Sequence, residues 1–276
     1  MNDTVIIAIP IYKENLSTSE KNSLQQCLKI FPNKKIVFVA PKGLQVKDYN
    51  VQGLERCDVV YFNPLYFTNV AGYNRLLLSK HFYKSFNVFK FILIYQLDAW
   101  VFADHLDLWC NKGYSYVGAP WFENFEESNS SNKLWATGNG GFSLRKVDDF
   151  LQVFEVKEKL FSFQFLWSKY LHYSFFNKLL RLPKLIIQYY WKNKPEFLYE
   201  LFGENEDHFW SFHAKELNTN FTVANVEDAV SFAFECNPKK MFELNNKQLP
   251  FGIHAWEKYD VGFVTNVLFN EGIEDS

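Results

Sequence analysis

Phe91-Ile92-Leu93-Ile94-Tyr95-Gln96-Leu97-Asp98-Ala99-Trp100 is an apolar run of strand-forming residues that ends abruptly in a single carboxylate, Asp98. Five apolar residues in succession fit a central strand covered on both faces, because a half-exposed strand alternates polar and apolar side chains. Active sites of open α/β sheets sit at the carboxyl ends of such strands, which makes Asp98 a candidate site residue. Asp also commonly caps the turn that follows a strand. The stretch alone leaves both readings open.

The surrounding chain supplies the partners such a strand needs. Residues 4–10 are a β-rich run ending in Pro10-Ile11-Tyr12, and Ser17-Thr18-Ser19-Glu20 offers a capping box for a helix reaching about Phe31. Residues 35–40 (KIVFVA) and 58–62 (DVVYF) repeat the buried-strand pattern, the first stopped by Pro41-Lys42-Gly43. Residues 70–86 carry apolar side chains at helical spacing. Strands alternating with helices predict an α/β fold with a mostly parallel sheet and right-handed crossovers.

Beyond Asp98 the texture changes. Residues 113–121 (GYSYVGAPW) and 135–145 (WATGNGGFSLR) are short glycine-punctuated segments, separated by a Ser-, Asn- and Glu-rich loop over 123–132 that reads as mobile. Residues 148–166 read as helical and 229–235 (AVSFAFE) as a strand, and the acidic run 203–210 (GENEDHFW) lies close to a helix start. No repeat or low-complexity linker divides the chain, so 1–276 reads as one domain.

With 276 residues, 48% hydrophobic and 22% charged, the chain can bury a full core, which excludes disorder as a class. Aromatic residues reach 19%, an excess that suits a ligand cleft or an interfacial surface as well as a core. The cysteines at 27, 57, 110 and 236 form no CxxC pair, which favours free thiols in a reducing compartment over zinc or disulfide frameworks. The start, MNDTVIIAIP, lacks the basic region and longer apolar core of a secretory signal. No stretch approaches the roughly 18 apolar residues of a membrane span. A cytoplasmic protein is expected. The formal net charge of −2 argues against nucleic acid as a partner.

One segment departs from that balance. Residues 160–194 hold Lys169, Lys178, Arg181, Lys184, Lys192 and Lys194 and no acid. Cations interleaved with Phe, Trp, Tyr and Leu are the pattern of a helix lying on an anionic membrane surface, here the inner face. They are equally the pattern of a solvated helical face over an aromatic core.

Three further clusters can carry chemistry. Asn139-Gly140-Gly141 would let the backbone approach a ligand closely, or form a tight turn entering a strand. Glu204, Glu206 and Asp207 are clustered carboxylates, so one can have its pKa raised towards the range of a general base. They also suit the positive end of a helix. His254, between glycine and apolar residues, reads as a satisfied buried histidine unless Asp98 binds a divalent ion. In that case a carboxylate, an imidazole and phosphate oxygens make a plausible Mn²⁺ site.

Taken in order, YQLDAW, GAPW, GNGGFSLR, NEDHFW and GIHAW resemble a GT-A-type glycosyltransferase, in a little-characterised glycosyltransferase-like family that shares these blocks. The resemblance implies a GT-A-like, Rossmann-like α/β/α sandwich with a mostly parallel central sheet and a helical, aromatic-basic insertion over 160–194. It implies a nucleotide-sugar-binding half over 1–110 and an acceptor-binding, catalytic half over 111–276. Asp98 then falls where such enzymes keep a metal carboxylate of Asp-x-Asp, with Gln96 departing from the pattern and putting Mn²⁺ or Mg²⁺ dependence in question. His254 matches a metal-completing histidine, and Glu206 and Asp207 match the acidic pair that supplies the catalytic base.

The resemblance also implies donor contacts from Pro10, Tyr12, Asn74, Arg75, Gln96, Asp98, Asn139, Gly140 and Gly141. The implied activity is inverting transfer from a nucleotide-diphosphate sugar, first of all a UDP-sugar, to a glycan, glycolipid or lipid-linked acceptor, as in polysaccharide biosynthesis. Two alternatives stay open: a catalytically inactive glycan-binding member of the fold, which Gln96 in place of an acid would suit, and a sugar-phosphate nucleotidyltransferase.

Overall fold

The apolar runs become the central strands of the protein, whose structure, a computed structural model, describes residues 4–46, 49–123, 133–268 and 270. The first part builds β1 (Val5–Pro10), α1 (Thr18–Ile30), β2 (Lys35–Pro41), β3 (Asp58–Phe62), α2 (Val70–Leu77), α3 (Lys80–Lys84) and β4 (Phe91–Tyr95). Next come β5 (Trp100–Val101), α4 (Leu106–Lys112), β6 (Tyr116–Gly118), the paired β7 (Pro120–Phe122) and β8 (Leu134–Thr137), and β9 (Phe142–Lys146). The remainder is largely helical: α5 (Val147–Val153), α6 (Phe163–Ser168), α7 (Phe175–Tyr190), α8 (Leu198–Phe202), α9 (Glu206–His208), α10 (Ala214–Leu217), α11 (Val226–Phe232) and α12 (Pro238–Leu244). β10 (Ala233–Phe234) follows α11, and β11 (Gly252–Ile253) follows α12.

A six-stranded sheet runs in the order β3-β2-β1-β4-β9-β6. β3, β2, β1 and β4 are parallel, and β9 is antiparallel to both its neighbours. Because successive side chains point to opposite faces, each strand feeds two cores. Ile7, Ile9, Phe38, Leu93 and Tyr95 pack with Leu24 and Leu28 of α1 and Trp109 of α4. Ile6, Val37, Val39, Ile92 and Ile94 pack with Leu76 and Leu77 of α2, Tyr83 of α3 and Phe150 of α5. The result is an α/β/α sandwich with a mostly parallel central sheet, and all five residues of β4 are buried in it.

β1 leads outward through β2 to β3, whereas β4 lies on the other side of β1, so the strand order reverses between β1 and β4. A crevice forms outside the carboxyl ends of strands at such a switch point. The small sheet β10-β11-β5 covers a third core that includes Phe234, Met241, Ile253 and Trp256. It brings the chain after β11 back to this crevice, where the Trp256 N–H donates to the Asp98 carbonyl (3.3 Å).

Three expected elements differ. Residues 70–86 form two helices, because the Ser79 hydroxyl accepts from Phe82 N–H and starts α3 afresh. The helix expected over 148–166 ends at Val153, and α6 begins only after Ser162 caps it. Residues 229–235 are mostly helical: Asn225 caps α11 through Asp228 N–H, and only Ala233–Phe234 is strand. Residues 124–132 of the loop expected to be mobile lie outside the described residues.

Candidate active site

The crevice between β1 and β4 is a cleft of about 600 Å³. The exits of β1 and β4, helix α2, the approach to β9, the start of α9 and the exit of β11 all line it. Phe142 of β9 pairs with Tyr95 of β4, and the Gln96 N–H donates to the Gly141 carbonyl (2.9 Å). Antiparallel pairing therefore sets the Asn139-Gly140-Gly141 segment directly beside the Asp98 turn.

Asp98 occupies the turn leaving β4, closed by the Ala99 N–H donating to the Gln96 carbonyl (2.9 Å). Its side chain is about half exposed, at 49%. His254 is buried, with Nε2 3.2 Å from Asp98 Oδ1 and 3.2 Å from Gln96 Oε1, and Nδ1 3.1 Å from Glu235 Oε1. Burial opposes charge on the imidazole, but the hydrogen bonds and charges of Asp98 and Glu235 outweigh it and hold its pKa up to about 10. Burial likewise works to raise the Asp98 carboxyl. The His254 contact prevails and holds it below the usual carboxylate value.

Asp98 Oδ1 and Gln96 Oε1 both approach the same imidazole nitrogen at 3.2 Å, an oxygen and nitrogen set that could hold a divalent ion once that nitrogen has lost its proton. Glu235 on the other nitrogen is the partner that orients metal-ligating histidines. Among the described residues no three His, Cys, Asp or Glu side chains cluster to hold a metal. A divalent ion here would rest on Asp98, His254 and the Gln96 amide oxygen, a set whose chemistry fits Mn²⁺ or Mg²⁺.

The neighbouring acids, Glu206 and Asp207, lie in very different surroundings. Glu206 is buried and meets the fully buried Arg145 in a two-pronged ion pair, Nη2 to Oε1 at 2.7 Å and Nη1 to Oε2 at 3.0 Å. Arg145 also donates to the Tyr83 hydroxyl (2.9 Å) and the Ser143 hydroxyl (3.1 Å), and lies over the Tyr116 ring. Both Glu206 oxygens are thus committed. Among the described residues no cation pairs with Asp207: it accepts from the His208 N–H (2.9 Å), and burial, then the Glu206 charge, pushes its pKa up to about 7. A π-helical turn, Phe209–His213, follows and packs Phe209 and Trp210 into the core.

The glycines serve this cluster. A Cβ on Gly141 would lie 1.9 Å from His254 Nε2, and one on Gly140 would lie 2.4 Å from Glu206 Oε1. Their bare backbone makes room for the imidazole and the carboxylate, not only for a ligand. Asn139 stabilises the segment by accepting from Gly141 N–H (3.0 Å).

Of the expected donor contacts, Pro10, Tyr12, Asn74, Gln96, Asp98, Asn139, Gly140 and Gly141 line the cleft. Tyr12 stands 63% exposed at its mouth. Asn74 also ties α2 to α9, accepting from Glu206 N–H (3.2 Å) and donating to Asn205 Oδ1 (3.0 Å). Arg75 is elsewhere: it faces Glu200 (3.4 Å) across a separate depression, because its neighbour Asn74 takes the cleft side of α2. Arg145, Glu235 and Tyr73 were not anticipated. A charged residue in the apolar strand Phe142–Lys146 was the available signal for Arg145. Tyr73 sets its buried hydroxyl beside Gln96, short of hydrogen-bond geometry.

Residues 56–254 match the family described as "Protein of unknown function (DUF5672)", and the chain belongs to that family. No curated protein matches the sequence. Among solved structures, the galactosyltransferase LgtC in complex with donor and acceptor sugar analogues aligns with a TM-score of 0.46 and 11% identity, over 90% of this chain and 86% of that one. A glycosyltransferase involved in glycosylation of the major capsid of PBCV-1 aligns with a TM-score of 0.37 and 8% identity, over 91% of each chain. The glycosyltransferase GlyE of Streptococcus pneumoniae TIGR4 aligns with a TM-score of 0.42 and 11% identity, over 96% of this chain and 60% of that one. Likenesses this loose assign no activity.

Proposed function

We propose that this protein is a GT-A-type glycosyltransferase that moves a sugar from a nucleoside-diphosphate donor, UDP first, to a hydroxyl of a glycan or glycolipid, inverting the anomeric centre. One observation carries the reading. A single cleft at the sheet's switch point holds the Asp98–Gln96–His254 set and, separately, a carboxyl at Asp207 whose pKa is about 7.

The two groups match the two demands of sugar transfer. As the acceptor oxygen attacks C1, its proton must leave and the C1–O bond to the diphosphate must break. Asp207 takes the proton; a carboxylate with a pKa near the working pH is suited to that step. Glu206, locked to Arg145, instead holds the start of α9 in place. The electron pair of the breaking bond departs with the diphosphate. A divalent ion held by Asp98, Gln96 and His254 would neutralise that charge. Without a metal, the protonated imidazole of His254, fixed between Asp98 and Glu235, would place positive charge at the same pole instead, since holding the ion requires Nε2 to give up its proton. The exposed Tyr12 ring at the mouth offers a face for the nucleobase.

The test is to incubate the protein with UDP-, GDP- and CMP-sugars, with and without Mn²⁺, and to measure free nucleotide in the presence of saccharide acceptors. Acceptor-dependent release from one donor supports the reading. Donor binding without turnover across acceptors favours an inactive glycan-binding protein. Pyrophosphate release from a nucleoside triphosphate and a sugar 1-phosphate favours a nucleotidyltransferase.

A further inference from the structure

Helix α7 presents its apolar side to solvent. Leu185 is fully buried on its inner side, while Phe175 (84%), Phe176 (67%), Leu179 (56%), Leu180 (64%) and Tyr190 (62%) are exposed, with Trp191 (63%) just beyond its end. At about 100° per residue, these positions and the exposed Ile186 and Ile187 fall on one stripe opposite Leu185. An apolar stripe on the solvent side reverses the usual surface helix and marks an interaction surface.

The charge around the stripe narrows the partner. Residues 160–194 contain six cations and no acid. Among the described residues no carboxylate pairs with Lys178, Arg181 or Lys184, and Lys192 reaches Glu200 only at 3.9 Å. A symmetric pair of copies docking through this face would bring like charges together. A surface rich in phosphate headgroups complements them. No helix among the described residues is long and apolar enough to cross a membrane, and sixteen residues span only about 24 Å, so the helix fits lying flat in an interface.

We infer that the outward stripe of α7, bordered by the exposed Lys184 within a segment of six cations and no acid, is a docking surface for an anionic lipid bilayer. The Phe and Leu side chains enter the acyl boundary, Tyr190 and Trp191 sit at headgroup level, and the cations meet lipid phosphates. Lys169, between α6 and α7, donates to the Leu201 and Phe202 carbonyls at the end of α8. The docking segment is thereby tied to the element that leads into Glu206 and Asp207. The inference does not depend on the reaction assigned to the cleft.

Co-sedimentation of the full chain with phosphatidylcholine vesicles, with and without phosphatidylglycerol, tests it against two variants. Leu180→Glu with Ile187→Glu alters the stripe, and Lys184→Glu alters its cationic border; circular dichroism confirms that both fold. Wild type should pellet with the phosphatidylglycerol vesicles, less so at high salt, and each variant should bind about tenfold more weakly or worse. Equal pelleting with neutral vesicles overturns the inference, as does wild-type binding by the folded variants. So does a concentration-dependent dimer, without vesicle binding, that the stripe variant abolishes; that outcome assigns the face to a second copy.

Discussion

Asp207 and Glu206 are adjacent and both border the cleft, yet the Glu206 carboxylate is taken up by Arg145 while that of Asp207 is not, a difference of about 100° around the helix start. Their consequences under mutation differ accordingly. Glu206→Gln leaves the Arg145 guanidinium buried without a counter-charge and should destabilise the fold by about 3–5 kcal/mol, read as a lower midpoint in denaturant. Asp207→Asn should do the reverse above neutral pH. A carboxyl whose folded pKa is raised contributes stability in full below its unfolded value of about 3.9 and loses it as pH rises to about 7. Removing the charge should therefore raise the melting temperature at pH 8 and leave it unchanged at pH 4. For the proposed activity the sign is opposite: if Asp207 is the base it must be deprotonated, so kcat/KM should climb with pH and level off above an apparent pKa near 7. A flat profile from pH 5 to 9 would remove Asp207 from that role. Neither the choice between the two acids nor the partner Arg145, 61 residues earlier in the chain, was legible in the sequence. Nothing local distinguishes two carboxylates at one helix start.

At the scale of elements, the sequence was most legible where one local signal decides. The apolar runs ending at Pro10, Pro41 and Tyr95 are strands, and the Ser17 capping box forms with both of its hydrogen bonds. It was least legible over 229–235, where a short, mostly buried apolar run suits helix and strand alike, and the Asn225 cap settled the matter. The glycine-rich approach to β9 was located correctly, but its purpose came only from the structure. Gly141 stands against His254, an element more than a hundred residues away in the chain. Gly141→Ala should displace the imidazole from Asp98 and Gln96 and weaken donor binding at least tenfold, measured by titration calorimetry on folded protein. Donor affinity equal to wild type would show that the Asp98–His254 geometry is not needed for binding.

For the molecule as a whole, the α/β class followed from the alternation of runs, and the cleft from the reversal of strand order between β1 and β4. The third core, which carries Glu235 and His254 back to Asp98, was not legible, since its strands β10, β11 and β5 are two residues each. Such short pieces leave no periodicity to read. The proposed reaction assigns charge neutralisation to the Asp98–His254 end of the cleft and proton acceptance to Asp207. Asp98→Ala and Asp207→Asn should accordingly fail differently, the first in donor binding and the second in turnover. The most direct measurement follows free-nucleotide release by wild type and Asp207→Asn with the preferred donor and a saccharide acceptor, alongside donor affinity. The account predicts unchanged affinity and release slowed roughly 10²- to 10⁴-fold; release at the wild-type rate by the variant would contradict it.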